Sequence, residues 1–173
     1  MKKNYFIKLL IIIYLSSTTL LIAHSTKKKK SLKSHEHGVG VLNIAQEENV
    51  LLFELEIPGS DVVGFEYEAE TDEDKKKVDA ALNILSDYKS IIVLPAYAEC
   101  NSMKSEAKVI NEGKHSEFIA YYKLSCNELG ALKRIYIKYF KNFELSKKLN
   151  IKIFGKNKKS AYVIDRSKKI INV

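Results

Sequence analysis

Two cysteines, Cys100 and Cys126, stand downstream of an N-terminal stretch with the order of an export signal, and that combination constrains the fold most. Residues 1–25 begin with Lys2, Lys3 and Lys8. They continue through the apolar run Leu9–Leu15 and the Leu20–Ala23 segment, and end in Ala23-His24-Ser25. A basic start, an apolar centre and small residues before the cut are the plan of a cleavable secretory signal. The competing reading is an uncleaved anchor. Lys8 and the Ser16–Thr19 cluster leave the apolar stretch shorter and wetter than the roughly 20 residues a spanning helix needs. With no cysteine at the expected cut, a lipid-anchored form is not expected.

Outside the cytoplasm an even cysteine count favours a disulfide. A Cys100–Cys126 bridge would close a loop of roughly 25 residues and contribute about 3 kcal/mol in the chain-entropy model. Two free buried thiols are the alternative. Neither cysteine has a Cys or His two to four residues away, so the spacing does not suggest a zinc knuckle.

The formal net charge of +8 does not point to nucleic acid. Eight lysines and no acids fall in residues 1–34, five of them in the segment 26–34. The remainder, residues 35–173, holds 21 basic and 21 acidic side chains. Its arginines are Arg134 and Arg166 alone, and arginine is the preferred forked donor to phosphate. Residues 26–34 read as a basic flexible linker. Membrane contact is expected only through the signal, or through a weak attraction of that lysine tail to anionic lipid.

Residues 35–173 have the length of one domain with a real core. His35–Ala45 and Val50–Ile57 read as a strand pair joined by the polar turn Gln46–Asn49 and ended by Pro58-Gly59. Asp72–Tyr88 reads as the main helix. Thr71 or Asp72 caps it, acids fill its first turn, and Val78, Ala81, Leu82 and Leu85 form its apolar stripe. Ile91–Leu94 is a short strand or packed turn. Strands are expected at Ala107–Ile110, His115–Cys126, Arg134–Phe140, Leu149–Phe154 and Ser160–Ile164, with a helical turn at Phe143–Lys148. The fold class is α+β: an antiparallel sheet of about six or seven strands with one main helix packed on it.

His35, His37 and His115 remain once the signal is removed. On a strand, a spacing of two would send His35 and His37 to one side, where their nitrogens can converge on a metal. Glu117 would point the same way as His115. Three histidines closed by a carboxylate or water would suit zinc; exposed, solvated histidines are the plainer reading. Glu66 and Glu68 do not stand out as an acid/base pair. There is no Gly-x-Ser-x-Gly elbow, Gly-rich phosphate loop or His-Glu-x-x-His, so an enzyme is not expected. The tyrosines are spread through strands and form no basic-aromatic stripe for single-stranded nucleic acid.

The order of these features resembles the ZrgA-type periplasmic zinc-binding proteins. The match runs through His35-Glu-His37-Gly38 and its strand, Val63-Gly-Phe-Glu66, the helix ending at Leu85-Ser-Asp87, Leu94-Pro95…Cys100 and His115-x-x-Phe118…Cys126. The resemblance implies an exported Gram-negative protein, periplasmic and non-enzymatic. It would bind Zn2+ and assist high-affinity zinc uptake beside an ABC transporter or that transporter's binding protein. It implies His35, His37 and His115 as ligands and Cys100 and Cys126 as the family's cysteine pair; Glu66 or Glu117 is the candidate for a fourth ligand. Two departures stand out. Tyr67 occupies a place where the family often has histidine, and Ile110–Lys114 replaces a long histidine-rich insert. A metal-free interaction protein contacting a transporter or envelope partner is the alternative these departures favour.

Overall fold

The computed structural model describes residues 36–156 and 158–173. The expected signal, the lysine linker and His35 lie outside them. Strand β1 (Val39–Glu47) turns at Glu48-Asn49 into β2 (Val50–Pro58). The hairpin pairs Ile44 with Phe53 and Leu42 with Leu55. Leu51, Phe53, Leu55 and Ile57 alternate inward and are at most 2% exposed, as the period of two requires. After β2 come a single helical turn, α1 (Gly59–Val62), and the main helix, α2 (Asp72–Ser86).

Helix α2 starts where its sequence says it should. Thr71 Oγ1 accepts the Asp74 N–H at 3.1 Å and donates to Asp74 Oδ2 at 2.8 Å, so two polar groups of the first turn satisfy each other. Ala81 and Leu85 are buried, and Val78 and Leu82 pack beside them. A short turn, α3 (Tyr88–Ile91), leads into β3 (Ile92–Val93).

Two long strands follow, β4 (Cys100–Glu112) and β5 (His115–Cys126), closed by a two-residue turn at Gly113-Lys114. The expected strand at Ala107–Ile110 is therefore the middle of a much longer one. Its exposed, charged N-terminal half lacks the apolar alternation that marks a half-buried strand. Tyr122 of β5 donates its hydroxyl to Leu85 O at 2.8 Å and ties the sheet to α2. Next come β6 (Arg134–Ile137), α4 (Tyr139–Asn142), β7 (Lys148–Phe154), β8 (Lys159–Ile164) and β9 (Ile170–Asn172). The helical turn expected at Phe143–Lys148 lies earlier, in α4. Tyr139, Phe140 and Phe143 all bury their rings there, so a turn before Phe143 brings them together.

β4-β5-β2-β1-β7-β8 form one sheet and β3-β6-β9 a second. The antiparallel sheet expected from sequence departs from that pattern at one ladder: β1 and β7 run parallel, with Leu42 opposite Ile151. Parallel neighbours need a long connection between them, and the whole middle of the chain supplies it here. The two strands start side by side because Gly38 O accepts the N–H groups of both Lys147 and Lys148, each at 2.8 Å. Helix α2 and the small sheet contribute to one continuous buried cluster with the inner face of the large sheet. Among the described residues, no helix is long and apolar enough to cross a membrane.

Cys100 and Cys126 sit directly opposite each other on β4 and β5, and they are disulfide-bonded. No cysteine is left free.

Candidate metal centre

His37 does not lie on a strand. It occupies a turn just ahead of β1, so the expectation of a His-x-His pair on one strand face fails at its second member. Gly38 follows with φ +86°, a left-handed conformation that glycine adopts without the Cβ clash other residues meet. Gly40 has a different reason to be glycine. A Cβ there would lie 2.6 Å from the Tyr139 hydroxyl, so the bare backbone admits that ring.

Four segments meet at this corner. The turn before β1 brings His37, α1 brings Ser60, and the loop after α1 brings Glu66. The first residue of β5 brings His115. Glu66 is the centre of the group. Its Oε2 lies 2.9 Å from His115 Nδ1, and its Oε1 lies 3.4 Å from His37 Nδ1 and 3.1 Å from Ser60 Oγ. Ser60 Oγ also lies 2.9 Å from His37 Nδ1. The Glu66 side chain is 15% exposed, whereas the rings of His37 and His115 are 68% and 64% exposed. The carboxylate is thus sunk between two open imidazoles. A carboxylate only accepts, so the His115 Nδ1–H donates to it, and in the neutral ring the other nitrogen, Nε2, carries the lone pair.

The surroundings favour the ionised carboxyl. Burial alone would raise its pKa. Hydrogen bonds from His115 and Ser60, with the charge of His37 and His115, outweigh burial and hold Glu66 below its ordinary value.

Beneath lies a support that sequence reading missed. Asp61 is buried, 3% exposed. Its Oδ1 accepts the Gly38 N–H at 2.7 Å and its Oδ2 accepts the Ser146 hydroxyl at 3.0 Å. Ser146 in turn lies 2.5 Å from the Tyr139 hydroxyl. Arg166 holds the same stretch of chain through the carbonyls of Phe140, Phe143, Glu144 and Ser146.

The other named candidates fall elsewhere. Glu117 is two residues along β5 from His115 but buried, 4% exposed, and pairs in register with Pro58 and Ile110. Tyr67 stacks on Phe65 at 4.6 Å and reaches toward Asp74 Oδ2 at 3.4 Å. A concavity of about 500 Å³ on the outer sheet face is lined by residues that include Asn43, Glu54, Tyr121 and Phe154, and it contains no histidine. Among the described residues, no three His, Cys, Asp or Glu side chains form a set gathered to hold a metal ion. Instead His115 Nδ1 hydrogen-bonds Glu66, while His37 Nδ1 hydrogen-bonds Ser60 and stands 3.4 Å from Glu66.

The model of the ZrgA family of zinc uptake proteins matches residues 34–173. The chain belongs to this family. No curated protein matches it. Membership of the ZrgA family gives the chain a role in zinc uptake. The matched stretch includes His35, His37, Glu66, His115 and both cysteines.

Proposed function

We propose that this chain is a periplasmic, non-enzymatic zinc-binding protein that assists high-affinity zinc uptake. The signal of residues 1–25 is removed on export, residues 26–34 form a linker, and residues 35–173 form the zinc-binding domain. The observation that carries the reading is the Glu66 bridge between His37 and His115, which joins segments nearly 80 residues apart in sequence. Zinc takes neutral imidazole nitrogens, and a ligating histidine usually bonds its other ring nitrogen to a carboxylate or carbonyl. His37 and His115 offer Nε2, and His35 is the third ligand. Glu66 orients the rings from behind and is not itself a ligand; Glu117, being buried, is not one either. Water completes the coordination. An open site of this kind can hand its zinc to other ligands, which suits delivery to an ABC transporter or its binding protein.

The test is zinc titration calorimetry on the exported chain, purified without an affinity tag. Binding of about one ion, lost in a His35→Ala/His37→Ala/His115→Ala variant, is expected. A folded, oxidised protein that gives no heat would refute the reading. The function would then lie in contact with a transporter or envelope partner, the alternative favoured by Tyr67 and the short turn before His115.

A further inference from the structure

His115 and His37 reach Glu66 in different ways. His115 bonds it directly at 2.9 Å, whereas His37 stands 3.4 Å away with Ser60 Oγ between them. The Ser60 hydroxyl has a single proton and three polar neighbours: Glu66 Oε1 at 3.1 Å, Asp61 Oδ1 at 3.4 Å and His37 Nδ1 at 2.9 Å. Both carboxylate oxygens can only accept. If Ser60 gave its proton to His37, its lone pairs would face both carboxylates. If it gives the proton to Glu66, a lone pair is free for a proton on His37 Nδ1. That second arrangement satisfies every group.

The position of Ser60 is also fixed. Asp61, the next residue, is buried and held from both sides by the Gly38 N–H and the Ser146 hydroxyl. Gly38 is the neighbour of His37. One buried carboxylate therefore sets the spacing between the turn that carries His37 and the residue that contacts its ring.

We infer that Ser60 is a positioning residue of the zinc site, which holds His37 in the Nδ1–H tautomer and so presents Nε2 as the ligand nitrogen. Glu66 does the same for His115 with no intermediary. The inference rests on the zinc-binding reading for its purpose and for the affinity arm of its test, but not for the tautomer arm. Which ring nitrogen carries the proton decides which one can ligate.

The experiment is long-range proton–nitrogen correlation NMR of the histidine rings, on the zinc-free exported chain at mildly alkaline pH, for wild type, Ser60→Ala and Ser60→Thr. Wild type is expected to show Nδ1–H for both His37 and His115. In Ser60→Ala, His37 is expected to shift toward the Nε2–H form while His115 stays unchanged. Ser60→Thr, which keeps the hydroxyl, is expected to restore the wild-type pattern. A purely structural role would move both rings or neither. A wild-type His37 in the Nε2–H form, or one unaffected in Ser60→Ala, would overturn the inference. Zinc affinity gives the second arm. Ser60→Ala is expected to weaken binding about tenfold, the lower range for a group supporting a ligand, with Ser60→Thr close to wild type. Unchanged affinity in Ser60→Ala would also overturn it. A wild type that has the expected tautomers but takes up no zinc would uphold the tautomer assignment and defeat the zinc-binding reading alone.

Discussion

Strand β5 ends in two different ways. At Cys126 it is tied covalently to Cys100 on the neighbouring strand. At His115, eleven residues and about 35 Å away at the usual strand rise, it ends in a corner of hydrogen bonds among exposed rings and one sunken carboxylate. The first end has one arrangement. The second is held by bonds that a competing ion or proton can exchange. The fold thus places its permanent constraint far from the chemistry and leaves the corner free to respond.

The largest expected effect follows from removing the permanent constraint. Cys100→Ala/Cys126→Ala releases a cross-link with a sequence separation of 26. The chain-entropy model gives a loss of about 3 kcal/mol, which for a domain of this size is a fall in Tm of roughly 10 °C. Zinc affinity should stay within about twofold of wild type. Thermal melting and calorimetry on the same sample check both. If zinc affinity falls along with Tm, the two ends of β5 are not independent.

The reverse test comes next. His37→Ala and His115→Ala should each weaken zinc binding at least about tenfold and leave the Tm of the zinc-free protein nearly unchanged. Substitutions at exposed rings away from a core usually shift stability by no more than about 0.5 kcal/mol. Calorimetry and melting of zinc-free protein read the two quantities separately. A large drop in zinc-free Tm would mean the histidines brace the fold.

The two ends were also unequally legible. The disulfide end could be read, because two cysteines behind an expected export signal suffice to predict a bridge and an alternating β5 could be seen in Phe118, Ala120, Tyr122 and Leu124. The Val78–Leu85 stripe of α2 was equally plain, since period alone identifies it. The corner could be read only in part. His37, Glu66 and His115 were named, but the expected strand geometry at His37 was wrong because the chain turns at Gly38 before β1 begins. Glu117 was drawn in by the period of two, which ignores what lies over the strand. Asp61 and Ser146 lie 85 residues apart and meet only in the folded chain, so no local pattern announces them. The parallel β1–β7 ladder was missed for the same reason, as nothing in β7 itself states which neighbour it will find.

Glu66→Gln sharpens the picture of the corner. The folded protein holds the Glu66 pKa below its ordinary value of 4.5. A depressed carboxyl contributes stability that is present above the unfolded value and lost as pH falls through the folded one. Wild type should therefore exceed Glu66→Gln by about 0.5 kcal/mol at pH 7. That advantage should shrink as pH drops below about 4.5. Urea unfolding of both proteins across that range measures the difference. An advantage that persists unchanged well below that pH would mean that the shape of the side chain matters there, and its charge does not.

The smallest effect lies midway along β5, where Tyr121 is in register with Glu54 of β2 and donates its hydroxyl to Glu54 Oε1 at 3.0 Å. Burial, then the Glu54 hydrogen bond and the charges of Glu54, Glu56 and Glu106, push its pKa up to about 12. A raised phenol contributes stability that is complete below about pH 10 and lost as pH rises through the folded value. The amide oxygen introduced by Glu54→Gln still accepts the hydroxyl, so neutral-pH stability should hardly change, while loss of the charge should make the tyrosinate absorbance assigned to Tyr121, by difference from Tyr121→Phe, appear at lower pH. The same titration in the double cysteine variant decides how far the cross-link acts. A midpoint still near 12 would mean that the β2–β5 ladder alone sets the register of the strand's middle, and that the disulfide governs only its own end. A midpoint falling toward 10 would mean that the loosening travels along β5, so that the covalent end and the exchangeable corner are coupled through the strand they share.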